Sequence, residues 1–313
     1  MDVPAHHPHL VHEVREAGLA GVGQCEVRQR TDAQEGDLAR RLEVPLVASY
    51  HTPSGEYAAY LSVDGTVERV VRGTATAYER WFLDRAAVVV VPSPETGRYV
   101  REKVGTDTPV AVVQNGVDTD FFRPVDAERE RAFRERHGLP DGPLVGYTGR
   151  HGYEKDLEVL VRAADGLDAT VAFAGDGPAR AELESAADEV DADVRFLGFL
   201  PREELPTFYS TLDAFAFPSP VETQGLVALE ANACGTPVAS VDAGALSDTI
   251  DDGENGYTAP AGDPAALRDV IRRTLDERER LREGCLDRRE ATSVAAAVED
   301  LRGVYADVLG GDD

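Results

Sequence analysis

From residue 44 onward, short β-branched runs alternate with helix-length segments, and this alternation limits the fold more than any other feature of the chain. Strands separated by helices cannot pair as simple hairpins. They build a parallel sheet whose faces the helices cover. The first half reads as strand 44–50 (VPLVASY), helix 66–84, strand 86–91 (AAVVVV), helix 94–104 and strand 109–114 (PVAVVQ). The turn at Asn115 and Gly116 then supplies the positive φ of a sharp reversal. A charged stretch follows, RPVDAERERAFRERHGLPDGP, with Pro and Gly crowded at its end, and the domain boundary is placed there, near Asp141.

The second half is more regular. Strands are expected at 143–149, 169–175, 194–199, 213–219 and 236–240, separated by helices at 154–165, 178–190, 202–210 and 224–234. Helices at 263–283 and about 289–307 finish the chain. This is a complete open α/β unit, which binds ligands outside the carboxyl ends of its strands. The expected architecture is α/β with two Rossmann-like domains, 1–141 and 142–285, and a C-terminal helical segment, 286–313, that can cross back to the first domain. The first domain reads as incomplete. Residues 1–43 show no convincing strand, and 19–37 (LAGVGQCEVRQRTDAQEGD) has neither a helical nor a strand period. A half without its opening strands exposes an unpaired edge, so this domain is expected to be truncated at its start or abnormally built.

Charge narrows the partners. The chain carries 32 Lys+Arg against 58 Asp+Glu, a net charge of −26, and its only lysines are Lys103 and Lys155. Such a surface repels phosphate backbones, which argues against nucleic acid as a partner. Acidic, lysine-poor composition points to a high-salt cytoplasm. Cys25, Cys234 and Cys285 form no CxxC pair, so neither a disulfide nor a zinc site is expected. The longest apolar run, around residues 86–91, is far short of the roughly 18 residues of a membrane span, and the chain is read as cytoplasmic. The histidines His6, His7, His9 and His12 are taken as incidental crowding and not as a metal site.

Two segments carry chemistry. In SPVETQGLVALEANACGTPVAS (219–240), Glu222 and Glu230 are eight positions apart around a helix start near Gln224. Eight steps of 100° return to within about 80° of the starting face, so both carboxylates can line one wall. The helix N-terminus between them suits a phosphate, and Gly225 lets the backbone approach. Glu230 interrupts an apolar run, and a buried carboxylate needs partners such as ribose hydroxyls. In YTGRHGYEKDLEVL (147–160), Arg150 and Lys155 occupy a strand-to-helix connection. Two cations there can neutralise a departing diphosphate.

Together these segments resemble the retaining, nucleotide-sugar-dependent glycosyltransferases of group 1 (family four), which have the two-domain GT-B fold. Further matching stretches are YHTPSGEYAAYL (50–61), QNGVD (114–118), AGDGPARAELE (174–184) and VRFLGFLPREELPTFYSTLDAFAFPS (194–219). The resemblance implies that Glu222 holds donor-sugar hydroxyls, Glu230 the ribose, and Arg150 and Lys155 the diphosphate. The Thr223, Gln224, Gly225 and Leu226 turn adds its backbone amides. By the same resemblance the base pairs with the backbone of Phe196, Leu197 and Gly198, and His51 lies by the transferred sugar. One departure stands out: Asn232 occupies a position where a Met is usual.

The implied reaction moves a hexose from a nucleotide diphosphate sugar to an acceptor hydroxyl with retention, the leaving phosphate taking the acceptor proton. It needs no metal or other cofactor. The ETQG form looks most like the branch that glycosylates lipids, which implies a lipid or lipid-linked glycan acceptor. A local +2 charge over residues 66–105, around Trp81 and Phe82, fits a peripheral membrane contact. The competing class is a non-catalytic, nucleotide-sugar-binding remnant of such an enzyme.

Overall fold

The computed structural model describes residues 23–26, 39, 41–51 and 65–310. Residues 52–61 of the YHTPSGEYAAYL stretch and the histidines at 6, 7, 9 and 12 lie outside them. The chain divides into two compact units, one comprising residues up to Gly116 together with those from Val294 onward, the other Val117–Ser293.

In the first unit, β1 (Gly23–Glu26), β2 (Leu46–Ser49), β3 (Val88–Val91) and β4 (Val110–Val112) form a parallel sheet in that order. Helix α1 (Gly65–Leu83) links β2 to β3, and α2 (Pro94–Tyr99), continued by a π-helical stretch Val100–Val104, links β3 to β4. The strand β1 corrects the expectation that residues 1–43 contain none: Gly23 pairs with Leu46 and Glu26 with Ser49. In a four-residue strand reading GQCE, Gly, Gln and Glu leave no hydrophobic alternation to detect. Phe82 on α1 is fully buried, whereas Trp81 is 43% exposed, stacked on Tyr78 and covered by the Arg85 guanidinium 3.7 Å from its ring centre.

In the second unit, α3 (Ala127–His137) precedes β5 (Leu144–Thr148), followed by α4 (Leu157–Ala164), β6 (Thr170–Ala174), α5 (Arg180–Ala187) and β7 (Val194–Gly198). Next come α6 (Leu205–Thr211), β8 (Ala214–Phe217), α7 (Leu226–Ala233), β9 (Val238–Val241), α8 (Leu246–Thr249), β10 (Gly256–Ala259), α9 (Pro264–Asp276) and α10 (Arg278–Asp287). The six strands lie parallel in the order β10-β9-β8-β5-β6-β7. A single apolar core runs through the unit, with Tyr147, Phe173, Phe208 and Phe215 fully buried.

Three expectations shift here. The unit begins at Val117, well before Asp141, because the charged stretch is helix α3, capped by the Asp126 carboxylate accepting from Arg129 N at 3.0 Å. Phe133, its one buried residue, meets Phe208 with ring centres 6.0 Å apart, and Arg134 donates to Thr211 O at 3.0 Å. One large apolar residue in three turns leaves no stripe, so periodicity is silent while the packing is not. Strand β10 was unanticipated, and the expected helix 263–283 is two helices broken at Glu277, whose carboxylate accepts from Tyr257 at 2.9 Å.

The last helix, α11 (Val294–Gly310), belongs to the first unit. Its Leu301 and Tyr305 pack on Val47, Val88 and Val90, while Ala48, Val89 and Val91 face Phe82, Leu83 and Val100 on the other side. Both faces of the sheet are therefore covered, which is why β3 reads as four valines and not as an alternating strand. The chain leaves the second unit at Ser293, bridged to Val117, so the boundary at 285/286 moves to 293/294.

Candidate functional site

Strand order locates the site. From β5 the chain proceeds outward through β6 and β7, then returns to the other side of β5 as β8. The carboxyl ends of β5 and β8 flank the point where the winding direction reverses, and an open α/β sheet has its crevice there. The loop after β5 carries Arg150 and Lys155, and the loop after β8 carries Glu222, Thr223, Gln224 and Gly225.

The structure joins these loops. Lys155 Nζ lies 2.5 Å from Glu222 Oε1, with side chains only 18% and 14% exposed. A pair this enclosed is screened less than a surface ion pair. Arg150, 59% exposed, pairs with the buried carboxylate of Glu154. Both cations singled out from the sequence thus have carboxylate partners, and Glu154 was not among the residues anticipated. Its spacing four residues from Arg150 was the available signal.

Helix α7 begins at Leu226, two residues later than expected, with Gly225 at φ 72° as its cap. Only glycine fits there, since a Cβ would fall 2.7 Å from Leu246 Cδ2. Gln224 is buried, and its carbonyl accepts from Thr249 Oγ1 at 3.0 Å. The amides that open a helix have no intrahelical acceptor, so this turn presents donors beside the Lys155–Glu222 pair.

Further along α7, Glu230 Oε2 accepts from the buried Tyr209 hydroxyl at 2.8 Å. Burial raises its pKa to about 7, with the Tyr209 bond and Arg202 pulling the other way. One hydroxyl cannot satisfy a carboxylate with two oxygens, so capacity remains for further donors. Asn232 is the opposite case. Its amide donates to Thr236 O at 2.9 Å, and its carbonyl accepts from Asn255 Nδ2 at 2.8 Å. The polar residue in an apolar helix is a buried amide pair tying α7 to the turn before β10.

At the end of β7, Phe196 and Leu197 are partly buried, Gly198 has φ 72°, and the Arg180 guanidinium lies 4.5 Å from the Phe196 ring centre. Beside them His151 is fully buried among Tyr147, Phe173 and Phe196, with neither ring nitrogen hydrogen-bonded among the described residues. Burial and then Arg180 lower its pKa, keeping the ring neutral. Sequence reasoning missed it because nothing in GRHGYEK marks that side chain as buried. His51, two residues after the end of β2 in the first unit, is partly buried.

Residues 129–287 match the family described as Glycosyl transferases group 1, and residues 34–121 match Glycosyltransferase Family 4. The chain belongs to the group 1 glycosyltransferases. It is 36% identical to 2-deoxystreptamine glucosyltransferase of Streptomyces kanamyceticus over 76% of its own length and 63% of the relative's. It is 34% identical to the sulfoquinovosyl transferase SQD2 of Arabidopsis thaliana, over 77% and 47% of the two chains. The chain thus spans less than two thirds of either relative. The sucrose-phosphate synthase of Thermosynechococcus elongatus superposes with a TM-score of 0.76 at 25% identity, covering 96% of this chain and 77% of that one. Among the described residues no helix is long and apolar enough to cross a membrane.

Proposed function

We propose that this group 1 glycosyltransferase moves a hexose from a nucleotide diphosphate sugar to an acceptor hydroxyl, with retention at the anomeric carbon. The observation that carries the reading is the Lys155–Glu222 ion pair, which brings a cation and a carboxylate together at the switch point beside the start of α7. In the reaction Lys155, Arg150 and the first amides of α7 take up the charge of the departing diphosphate, and Glu222 holds sugar hydroxyls. Glu230 holds the ribose, and the backbone at Phe196, Leu197 and Gly198 meets the base. The chemistry is positioning and electrostatic stabilisation, and the leaving phosphate accepts the proton of the attacking hydroxyl.

The acceptor is read as a lipid or lipid-linked glycan, supported by the ETQG form of the motif and the half-exposed Trp81 on α1. A small polyol is the second reading, favoured by the relative named for 2-deoxystreptamine. A sugar-nucleotide panel read by thermal shift, followed by transfer assays with Lys155→Ala and Glu230→Ala, tests the donor site. Both variants are expected to lose donor affinity by about tenfold or more. Unchanged affinity in both refutes the site, and donor binding with no transfer to any acceptor favours the non-catalytic class. Partition of the labelled product between solvent and water decides between the two acceptors.

A further inference from the structure

The switch-point loops hold two ion pairs, Arg150 with Glu154 and Lys155 with Glu222. Burial first, then Glu222 and Glu154, push the Tyr147 phenol up and Arg150 pulls it down, so these three charges surround one hydroxyl. Tyr147 in turn donates to Arg150 O at 3.3 Å.

The two ion pairs are built differently. Glu154 is 6% exposed, and the loop leaves residue 152 without a side chain to seat its carboxylate, since a Cβ on Gly152 would fall 2.3 Å from Oε2. A carboxylate so enclosed cannot be left without its cation. Arg150 reaches it from a side chain that is 59% exposed, so the side chain as a whole lies open to solvent. A guanidinium presents five N–H donors in a planar fork and can serve two anions at once, whereas an ammonium is a point charge.

Resting on the donor reading above, we infer that Glu154 is the positioning residue for Arg150. Its ion pair persists when the diphosphate binds and fixes the guanidinium so that the remaining N–H groups meet phosphate oxygens. The Lys155–Glu222 pair is the one that opens, Lys155 passing to the diphosphate while Glu222 is released to accept sugar hydroxyls.

Calorimetric titration of the full chain with inorganic pyrophosphate tests this without knowledge of the base or sugar. Glu154→Gln is expected to weaken pyrophosphate binding about 3- to 10-fold, the scale of one charge-assisted contact. Combined with Arg150→Gln it should bind no more weakly than Arg150→Gln alone, because Glu154 acts through Arg150. A merely structural role for Glu154 makes the two losses additive. Arg150→Lys, made with Glu154 intact, should bind as weakly as Arg150→Gln, a result that does not depend on whether Glu154→Gln folds. Wild-type affinity in Glu154→Gln, additive losses in the double variant, or wild-type affinity in Arg150→Lys each overturns the inference. If the wild type binds neither pyrophosphate nor any of UDP, GDP and ADP, the donor reading itself fails.

Discussion

Glu230→Gln separates the cost of burying a carboxylate from the use made of it. The raised pKa, about 7 against an ordinary 4.5, is a shift of about 2.5 units. At 1.36 kcal/mol per unit this amounts to about 3 kcal/mol lost from the folded state once the group ionises. The sign follows from proton counting. Between pH 4.5 and about 7 the folded chain holds a proton that the unfolded chain has released, so this stabilisation is complete below 4.5 and gone above 7. Gln has no charge to desolvate and still accepts from Tyr209. In urea unfolding the variant is expected to exceed the wild type by about 3 kcal/mol at pH 8 and by less than about 1 kcal/mol at pH 5. Donor binding should move the other way, weakening about tenfold or more in Glu230→Gln, because ribose hydroxyls bond more strongly to a charged acceptor. A stability difference that is the same at pH 5 and pH 8 refutes the reasoning, since only desolvation of an ionised Glu230 makes it depend on pH.

Asn232→Met is expected to destabilise this chain by about 1–3 kcal/mol in urea unfolding, because the Asn255 amide loses its buried acceptor. Gly225→Ala forces a side chain into a left-handed backbone and against Leu246. It should lower stability by about 1 kcal/mol or more and weaken pyrophosphate binding at the start of α7, by thermal shift and calorimetry. His151 has a pKa below the ordinary 6.5, so the unfolded chain binds a proton there that the folded chain refuses, and stability falls as pH drops below that value. The drop in unfolding free energy from pH 7.5 to pH 5.5 should be smaller in His151→Leu than in wild type, and an equal drop in both proteins would sink the assignment.

The parallel sheets were legible because their strands are buried on both faces, and runs such as AFAF and VVVV have few other uses. What escaped were elements whose stability comes from their neighbours. Helix α3 is held by Phe133, by Arg134 on Thr211 and Asp213, and by its cap, none of which makes a period. Strand β1 is held by its ladder to β2, and GQCE carries no pattern of its own. At the site, spacing and chemistry single out charged residues but give neither Glu154 nor the uncharged partners that the fold supplies. Tyr209 lies 21 residues from Glu230, and Asn255 lies 23 from Asn232. Such pairings exist only once the fold brings them together.

Helix α7 shows how a fold treats polar residues according to whether they are satisfied. Glu230 and Asn232 are two positions apart, about 200° around the helix, so they face different surroundings. Asn232 meets Thr236 and Asn255, with both its donor and its acceptor engaged. A fully paired buried amide is a structural device, and it explains how an apolar helix accommodates this polar residue. Among the described residues Glu230 accepts a hydrogen bond from the Tyr209 hydroxyl, with Arg202 acting at longer range, and in this desolvated position it retains proton affinity near neutrality. An under-satisfied carboxylate is a cost that folding alone gives no reason to keep. A hydroxyl-rich ligand that supplied the missing donors would recover that cost on binding, and would release the proton as it did so.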